Sequence, residues 1–524
     1  MIGLASASAL ADPTPPTARL GTLWIDVEDL FEYTAANPRP SGIQRLAFEL
    51  YRVLQERLGA DRRIRFVRLD PVRGTFSSVS WRSVANLFAR LSDKAPASGK
   101  APAFGNVLAG RGNRAATPSH QHNAESSMRY RARRLVHRLP QSFRRGMLDA
   151  TRLQIAALSA LAGLFVMVTQ GIVSRMRKRT RSLVPNPSAG PEVESDEFAR
   201  FVQPGDILLA LGAPWANPDY AGLIEAARMK FGIEFGFLVY DIIPLRRPEW
   251  CDRGLVRIFR AWFMSVLPLA DHIFAISKFS ANDIVSFAET MSIPLRTSVT
   301  VIPIGTGFGP DELQPAPDPV GLPVPGSYVL MVSTIEARKN HILLFRVWRR
   351  LLEEFPADQV PTLLFAGRVG WLVADLMQQL ENTDYLGRKI IVLSDLSDAE
   401  LAAAYRGCLF TVFPSFYEGW GLPVTESLAF GKPCIASDRT SIPEAGGSFC
   451  QYFNPDDLTQ AYQTISRIIN NREALAVWEA EIQRDFRPTP WQAGAEAILA
   501  GVGMTVEARP GALALDPAKE PPPF

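Results

Sequence analysis

Short apolar runs alternate with stretches of helical periodicity along most of the chain. TLWIDV, from Thr22 to Val27, is a run suited to a buried strand, and LAFELYRVLQERL further on repeats its apolar residues at helical spacing. A polar loop ending in PRPSGIQR separates them, so the unit reads strand, glycine-bearing loop, helix. The alternation resumes at Asp206. DILLALGAPW and EFGFLVYDIIP read as strands ending in polar loops, VRIFRAWFMSVLPLA as a helix, and DHIFAIS and TSVTVIPIG as strands. Strands interleaved with helices predict a parallel sheet covered on both faces.

A Pro/Gly-rich stretch, Gly305–Ser327, then interrupts the pattern and reads as a linker. The alternation restarts with YVLMVST, the helix HILLFRVWRRLLEEF, TLLFAG, KIIVLSD, the helix AELAAAYRG, LFTVFPS, the helix PVTESLAFG and PCIAS. The expected organisation is a first α/β domain over 1–310, a linker over 311–327, a second α/β domain over 328–483, a helix within 484–505 and a disordered tail over 506–524. Two such domains leave a cleft between them, and in open α/β sheets ligands sit beyond the carboxyl ends of the strands.

Composition adds bounds. A chain of 524 residues exceeds one ordinary core, and 47% hydrophobic with 21% charged residues is globular in character. Four scattered cysteines give no disulfide framework, and five histidines form no ligand cluster, so no structural metal is expected. The first twenty residues lack the basic start and apolar run of a signal peptide, although ALAD resembles a cleavage site; the expected setting is reducing and cytoplasmic. One region departs from the globular pattern, an insertion at about 94–200. Its first part is rich in Ala, Pro, Gly, Ser and Asn and reads as disordered. Arg129–Arg181 then holds thirteen Arg and Lys against the single acid Asp149, a local +12 in a chain of net +3. Within it, Leu153–Ser174 is an uncharged run of 22 residues, and about 20 can span a bilayer. Spanning would split one sheet across the membrane, so the expectation is an interfacial helix or hairpin on the membrane surface; the alternative is a helical insertion packed on the first domain.

The candidate chemistry lies in FPSFYEGWGLPVTESLAFGKP, Phe413–Pro433. Pro423 suits the first turn of a helix, which leaves Glu418 in the preceding loop and Glu426 about one turn inside. A loop position gives Glu418 little packing to lose on substitution. Gly419 and Gly421 allow close backbone approach, and the free N–H groups at a helix start favour an anion. Carboxylates repel phosphate but accept hydrogen bonds from hydroxyls. Two of them around an anion-binding helix start suggest a ligand with both phosphate and hydroxyl groups, as a nucleotide sugar has. Each glutamate alone also reads as an ordinary solvated or dipole-favouring residue.

EGWGLPVTE resembles the Glu-x7-Glu signature of retaining GT-B glycosyltransferases of the family-4 type, glycosyl transferases group 1. The resemblance continues in GKPCIASDRTSIPEAGG, IIVLSDLSDAELAAAY and VSTIEARKN, and more faintly in SGIQR, YDIIPLRRPEW and LPLADHIFAISKFS. It implies that Glu418 faces the hydroxyls of the transferred sugar and Glu426 those of the ribose. It also implies that the backbone of Gly419, Trp420, Gly421 and Leu422 touches sugar and diphosphate. Arg338 and Lys339, in EARKN after a strand, would hold the diphosphate and stabilise the leaving group. Many relatives carry an arginine a few residues earlier, where this chain has Ser333 and Thr334, so Arg338 is a candidate substitute. Gly42 would clear the loop after the first strand, Arg45 points either to the cleft or to solvent, and Asp241 sits at the cleft edge. Tyr240 stands where many relatives have histidine and could donate to sugar or phosphate. PTPWQAGAEAILAG resembles the helix that crosses back to the first domain.

The implied reaction is transfer of a sugar, mannose favoured and GDP-mannose the favoured donor, from a nucleoside-diphosphate sugar with retention of configuration. No metal or other cofactor is expected, because the family is generally metal-independent and no DxD-type triplet is placed for a divalent ion. Catalytic roles fall to Glu418, Lys339 and Arg338. The implied partners are the nucleotide sugar, a lipid-linked oligosaccharide acceptor of polysaccharide biosynthesis and a membrane surface met through 129–181 at the inner face of the cytoplasmic membrane, with no nucleic acid. Alternatives are a GT-B nucleotide-sugar epimerase or hydrolase, told apart by product formation without acceptor, and a non-catalytic membrane-bound scaffold.

Overall fold

A computed structural model of the chain describes residues 21–36, 41–70, 74–92, 197–306, 321–394 and 396–504. The segment 129–181, expected to meet a membrane surface, most of the 94–200 insertion, the first part of the linker and the tail from 506 lie outside these residues.

The first domain comprises β1 (Leu23–Asp26), α1 (Glu28–Ala36), α2 (Gly42–Leu58), β2 (Ile64–Asp70), β3 (Thr75–Val79), α3 (Trp81–Ser92), α4 (Glu197–Phe201), β4 (Ile207–Ala210), α5 (Tyr220–Phe231), β5 (Glu234–Val239), α6 (Ile243–Arg246), α7 (Arg253–Val266), β6 (His272–Ala275), α8 (Lys278–Thr290) and β7 (Val299–Val301). The strands form one sheet in the order β3-β2-β1-β4-β5-β6-β7. All neighbours are parallel except β2 and β3, which pair antiparallel with Phe66 opposite Val79. The sheet is therefore mixed at one edge, not wholly parallel as the alternation suggested. Its faces are covered by two clusters, one around Leu23, Ile25, Leu50 and Tyr51, the other around Trp24, Phe235, Phe237 and Phe263.

Two local readings change. The segment between β1 and α2 is not a plain loop, because α1 occupies it, and Gly42 is the first residue of α2 rather than a loop residue. Helix α4, at the far end of the expected insertion, belongs to the first core: Phe198 is fully buried and meets Trp24 edge-on at 4.9 Å.

The second domain comprises β8 (Tyr328–Val332), α9 (His341–Glu354), β9 (Thr362–Ala366), α10 (Ala374–Asn382), α11 (Asp384–Arg388), β10 (Ile390–Leu393), α12 (Asp398–Gly407), β11 (Thr411–Phe413), α13 (Leu422–Ala429), β12 (Cys434–Ser437), α14 (Ile442–Gly446), β13 (Cys450–Phe453), α15 (Leu458–Ile469) and α16 (Arg472–Asp485). Its sheet is wholly parallel, in the order β10-β9-β8-β11-β12-β13. That is the doubly wound arrangement, with the switch point between β8 and β11. The short strand β13, with its odd polar start CQYF, carries no periodic signal of its own and completes the sheet by pairing Cys450 with Cys434.

Helix α17 (Trp491–Gly501) packs on the first domain. Ala495, Ile498 and Leu499 join the core of Leu23 and Leu50, and Arg57 pairs with Glu496 at 2.5 Å. Gly494 makes this approach possible: a Cβ there would lie 2.6 Å from the carbonyl oxygen of Pro303.

Candidate functional site

The two domains face each other over a cavity of about 430 Å³ lined by both. The first domain supplies Gly42 and Arg45 from the start of α2, with Tyr240 and Asp241 after β5. The second supplies Ser333, Arg338, Lys339 and the run Glu418–Pro423 with Glu426. Every residue singled out in the sequence as donor-binding therefore borders one cavity, at the switch point of the second sheet.

Helix α13 begins at Leu422 because Gly421, at φ 118°, turns the chain through a conformation costly for other residues. Among the described residues, the backbone N–H groups of Gly419, Trp420, Gly421 and Leu422 find no protein acceptor. They surround a helix N-terminus, where a partial positive charge collects. The carbonyls of the same loop are fixed instead: Ser441 Oγ donates to Glu418 O at 2.9 Å and Trp420 O at 3.0 Å. Thr440 Oγ1 accepts the Glu418 N–H at 3.0 Å.

The side chain of Glu418 is buried, not a solvated loop carboxylate. Lys339 Nζ lies 2.6 Å from Oε1 and Arg338 Nη1 2.8 Å from Oε2, and Ser415 donates a third hydrogen bond. Arg338 also pairs with Glu336 at 2.6 Å and donates to the Tyr417 carbonyl. Burial opposes the charge on Glu418, but Arg338, Lys339 and the hydrogen bonds outweigh it and bring its pKa down to about 2. Burial, then the neighbouring Arg338, pushes the Lys339 ammonium below its ordinary range. Two acids and two cations make the cluster close to neutral. An ammonium has three donors, and Lys339 spends one on Glu418.

The remaining residues divide by role. Glu426 is buried and accepts from Tyr405 OH at 2.7 Å; burial raises its pKa while Tyr405 and Arg45 oppose the rise. Asp241 accepts the Ile243 N–H at 2.9 Å, and its pKa is raised by burial. Arg45 crosses the cleft to Asp398 at the start of α12, with contacts of 2.5 and 2.9 Å. Tyr240 does not offer its hydroxyl to the cleft: it donates to the Leu211 carbonyl at 2.5 Å, on the core side. Ser333 Oγ lies 3.3 Å from His341 Nε2. Ser415, Tyr405, Thr440 and Asp398 were not legible as site residues, since isolated hydroxyls and a helix-start acid carry no motif.

The domains touch closely. A Cβ on Gly419 would lie 2.2 Å from the Tyr240 carbonyl oxygen. Glu444 of α14 accepts the N–H groups of Lys278 and Phe279, both at 2.8 Å, at the start of α8 in the other domain. Trp250 stacks on Phe416 with centroids 5.6 Å apart. Among the described residues, no group of His, Cys, Asp and Glu could hold a metal ion, and no helix is long and apolar enough to cross a membrane.

Two doubly wound sheets facing each other over such a cleft define the GT-B class of α/β proteins. The family model described as glycosyl transferases group 1 matches residues 316–484, over the second domain. It is 28% identical over 327 residues to the serotype-specific mannosyltransferase WbdA of Escherichia coli, covering 59% of this chain and 38% of that protein. It is 30% identical over 224 residues to the O-antigen chain mannosyltransferase B of Escherichia coli, covering 42% and 57%. The chain thus spans well under two thirds of the relatives it matches. Among solved structures it aligns with TarM at a TM-score of 0.43 and 13% identity, over 58% of this chain and 56% of that one.

Proposed function

We propose that the chain transfers a hexose, mannose favoured, from a nucleoside-diphosphate sugar to a glycan acceptor with retention of configuration. The observation that carries this is the pairing, at one switch point, of four unspent backbone N–H groups with the Arg338–Lys339–Glu418 cluster. The diphosphate takes the helix start of α13 and the remaining donors of Lys339 and Arg338. Because the cluster is already close to neutral, negative charge developing on the leaving phosphate is met by preorganised dipoles and by a cation drawn from Glu418. Glu418, released in part from Lys339, accepts hydroxyls of the transferred sugar, and Glu426 accepts those of the ribose. The leaving phosphate assists deprotonation of the acceptor hydroxyl on the same face, so no protein nucleophile is required and none is assigned.

The two Escherichia coli relatives are named as mannosyltransferases, one for O-antigen chains, which favours mannose and polysaccharide assembly for this chain. A lipid-linked acceptor met at the inner face of the cytoplasmic membrane fits the basic, apolar composition of 129–181. The test is a thermal-shift screen across nucleotide sugars, since a ligand that binds only the folded chain raises the melting temperature with concentration. It is followed by transfer from the best donor, with and without acceptor. No donor-dependent shift would overturn the reading, and turnover without acceptor would assign an epimerase or hydrolase instead.

A further inference from the structure

The loop between β9 and α10, Gly367–Val373, carries three apolar side chains that stand in water. Val369 and Trp371 are each 46% exposed and Leu372 61%. Leu372 is also left-handed, at φ 58°, a conformation that a bulky residue adopts at a cost. The loop is nevertheless tied down. Val369 pairs with Ile335 in a parallel bridge, and the Gly370 N–H donates to the Ile335 carbonyl at 2.8 Å. A Cβ on Gly370 would lie 2.8 Å from Thr334 Cγ2, so the loop packs directly on the segment that leads to Arg338. Trp371 in turn donates its indole N–H to the Trp250 carbonyl of the first domain, at 2.8 Å. That bond satisfies the one polar atom of the side chain, so what the ring shows to water is carbon.

This surface continues into the cleft. Trp250 stacks on Phe416, with ring centroids 5.6 Å apart, and carries the Arg247 guanidinium 3.9 Å from its ring. Phe416 is two residues from Glu418, and its N–H donates to the Arg338 carbonyl at 3.0 Å. Burial pushes the thiol of Cys251 up to about 11, and the charges of Asp241, Arg338 and Glu336 act on it as well, so the segment after Trp250 lies within electrostatic reach of the cluster. Neighbours already cover the Trp250 ring, and the Trp371 ring beside it is open. On the Trp250 side, Arg247 and Glu249 pair at 2.6 Å with about half of each side chain in water.

We propose that Trp371 is an acceptor subsite, which takes the pyranose behind the reacting sugar in an oligosaccharide acceptor. A pyranose has an apolar face of C–H bonds and a rim of hydroxyls. The negative face of an indole attracts those C–H bonds. Leu372 widens the apolar contact, and Arg247 and Glu249 offer a donor and an acceptor to the rim. A lipid surface would match the apolar side chains but gains no charge from a neutral Arg–Glu pair. Both domains build the subsite, because the bond to Trp250 holds the ring across the cleft. The proposal rests on the transferase reading and deepens it: the length of the acceptor, and not only its terminal hydroxyl, determines binding.

Binding is measured by calorimetry on the full chain, with and without GDP. The probes are methyl mannoside and α-linked mannose oligosaccharides of two to four residues, with β-linked glucose oligosaccharides of the same lengths as a second series. In at least one series affinity should rise by about 2–10-fold from the monosaccharide to the longer chains. Trp371→Ala should remove that gain and leave the melting temperature and the GDP affinity unchanged. Trp371→Phe loses the bond to Trp250 but keeps an aromatic face, and should keep most of the gain. No gain with length in either series, or a gain retained by Trp371→Ala, would overturn the proposal. So would a gain lost as fully in Trp371→Phe as in Trp371→Ala, since the ring would then act only as a tie between the domains. Weaker association of Trp371→Ala with phospholipid vesicles, with oligosaccharide binding intact, would assign the loop to lipid and also overturn it. A nucleotide-sugar shift without a length gain leaves the transferase reading standing; a length gain without that shift removes the transferase reading and leaves an oligosaccharide site.

Discussion

The two sheets share one arrangement at the centre, and they treat its switch point in opposite ways. In the first domain, β1 and β4 diverge around two acids, Asp26 and Asp29. Asp26 accepts from Tyr220 OH at 2.6 Å and from the Glu28 N–H at 2.9 Å. Asp29 is buried beside Ala213, Leu30 and Gln44, and among the described residues its Oδ2 finds no hydrogen-bond partner. No cation stands among these partners, and burial drives the two pKa values up to about 7 and about 6. Tyr51, Tyr220 and Tyr240 fill the surrounding space. In the second domain, β8 and β11 diverge around an acid held by two cations, and its pKa falls to about 2. The same topological gap is thus a plug in one domain and an ionised, donor-rich pocket in the other. Topology marks where a ligand can bind, and the charge placed there selects which of two equivalent gaps takes an anion.

The comparison can be broken at the second switch point first. Glu418→Ala should lower transfer by about 10²–10³. It should also cost about 3–5 kcal/mol of stability, because it leaves Arg338 and Lys339 buried without their shared partner. This replaces the expectation that a loop glutamate is removed without structural cost. Turnover and thermal unfolding check both parts; a variant with normal melting would contradict the buried cluster.

The pH dependence should have opposite signs in the two domains. Glu418 has a folded pKa below its ordinary 4.5, so its stabilisation is complete above 4.5 and is lost as pH falls toward 2. Asp26 has a folded pKa above its ordinary 3.8, so its contribution is complete below 3.8 and is lost as pH rises through about 7. Asp26→Asn should therefore gain on the wild type between pH 4 and 8, by up to about 4 kcal/mol at 1.36 kcal/mol per unit. Denaturant unfolding across that range reads the effect, and a constant difference would remove the assignment.

Ligand affinity sharpens the contrast further. Lys339→Ala should weaken a free nucleoside diphosphate by about 10–100-fold, as charged hydrogen bonds contribute roughly 1.5–3 kcal/mol. Asp29→Asn should leave that affinity unchanged, and calorimetry on both decides. The smallest effect is expected where the domains meet. A double-mutant cycle on Arg45 and Asp398 should return a coupling of no more than about 1 kcal/mol, since both side chains are roughly a third exposed.

What the sequence revealed follows the same division. The second site was legible because its chemistry is local: EGWGLPVTE places two acids, two glycines and a helix start within nine residues, and ARK lies in one loop. The plugged switch point was not legible. Asp26 lies within the run TLWIDV and Asp29 just after it with no motif around either, and only the packing of Tyr51 and Tyr220 from distant helices shows that they are buried. The antiparallel β2–β3 edge went unread although PVRG joins RIRFVRLD to TFSSVS with the Pro and Gly of a hairpin connection, because the strand–helix alternation elsewhere in the chain favours parallel pairing. Tyr240 illustrates the limit of motif matching: its position suggested a donor to the ligand, but the neighbouring carbonyl of Leu211 takes its hydroxyl.

Gly419 has a mechanical meaning. Its α-carbon meets the Tyr240 carbonyl so closely that a methyl group there would sit at 2.2 Å, where real β-carbons keep at least 3.0 Å. The glycine is an end-stop that sets how narrow the aperture between the domains becomes. Any side chain would wedge the two halves apart by the better part of an ångström. Gly419→Ala would then retain every charged group and still hold the jaws ajar, separating the grip on a ligand from the chemistry performed on it.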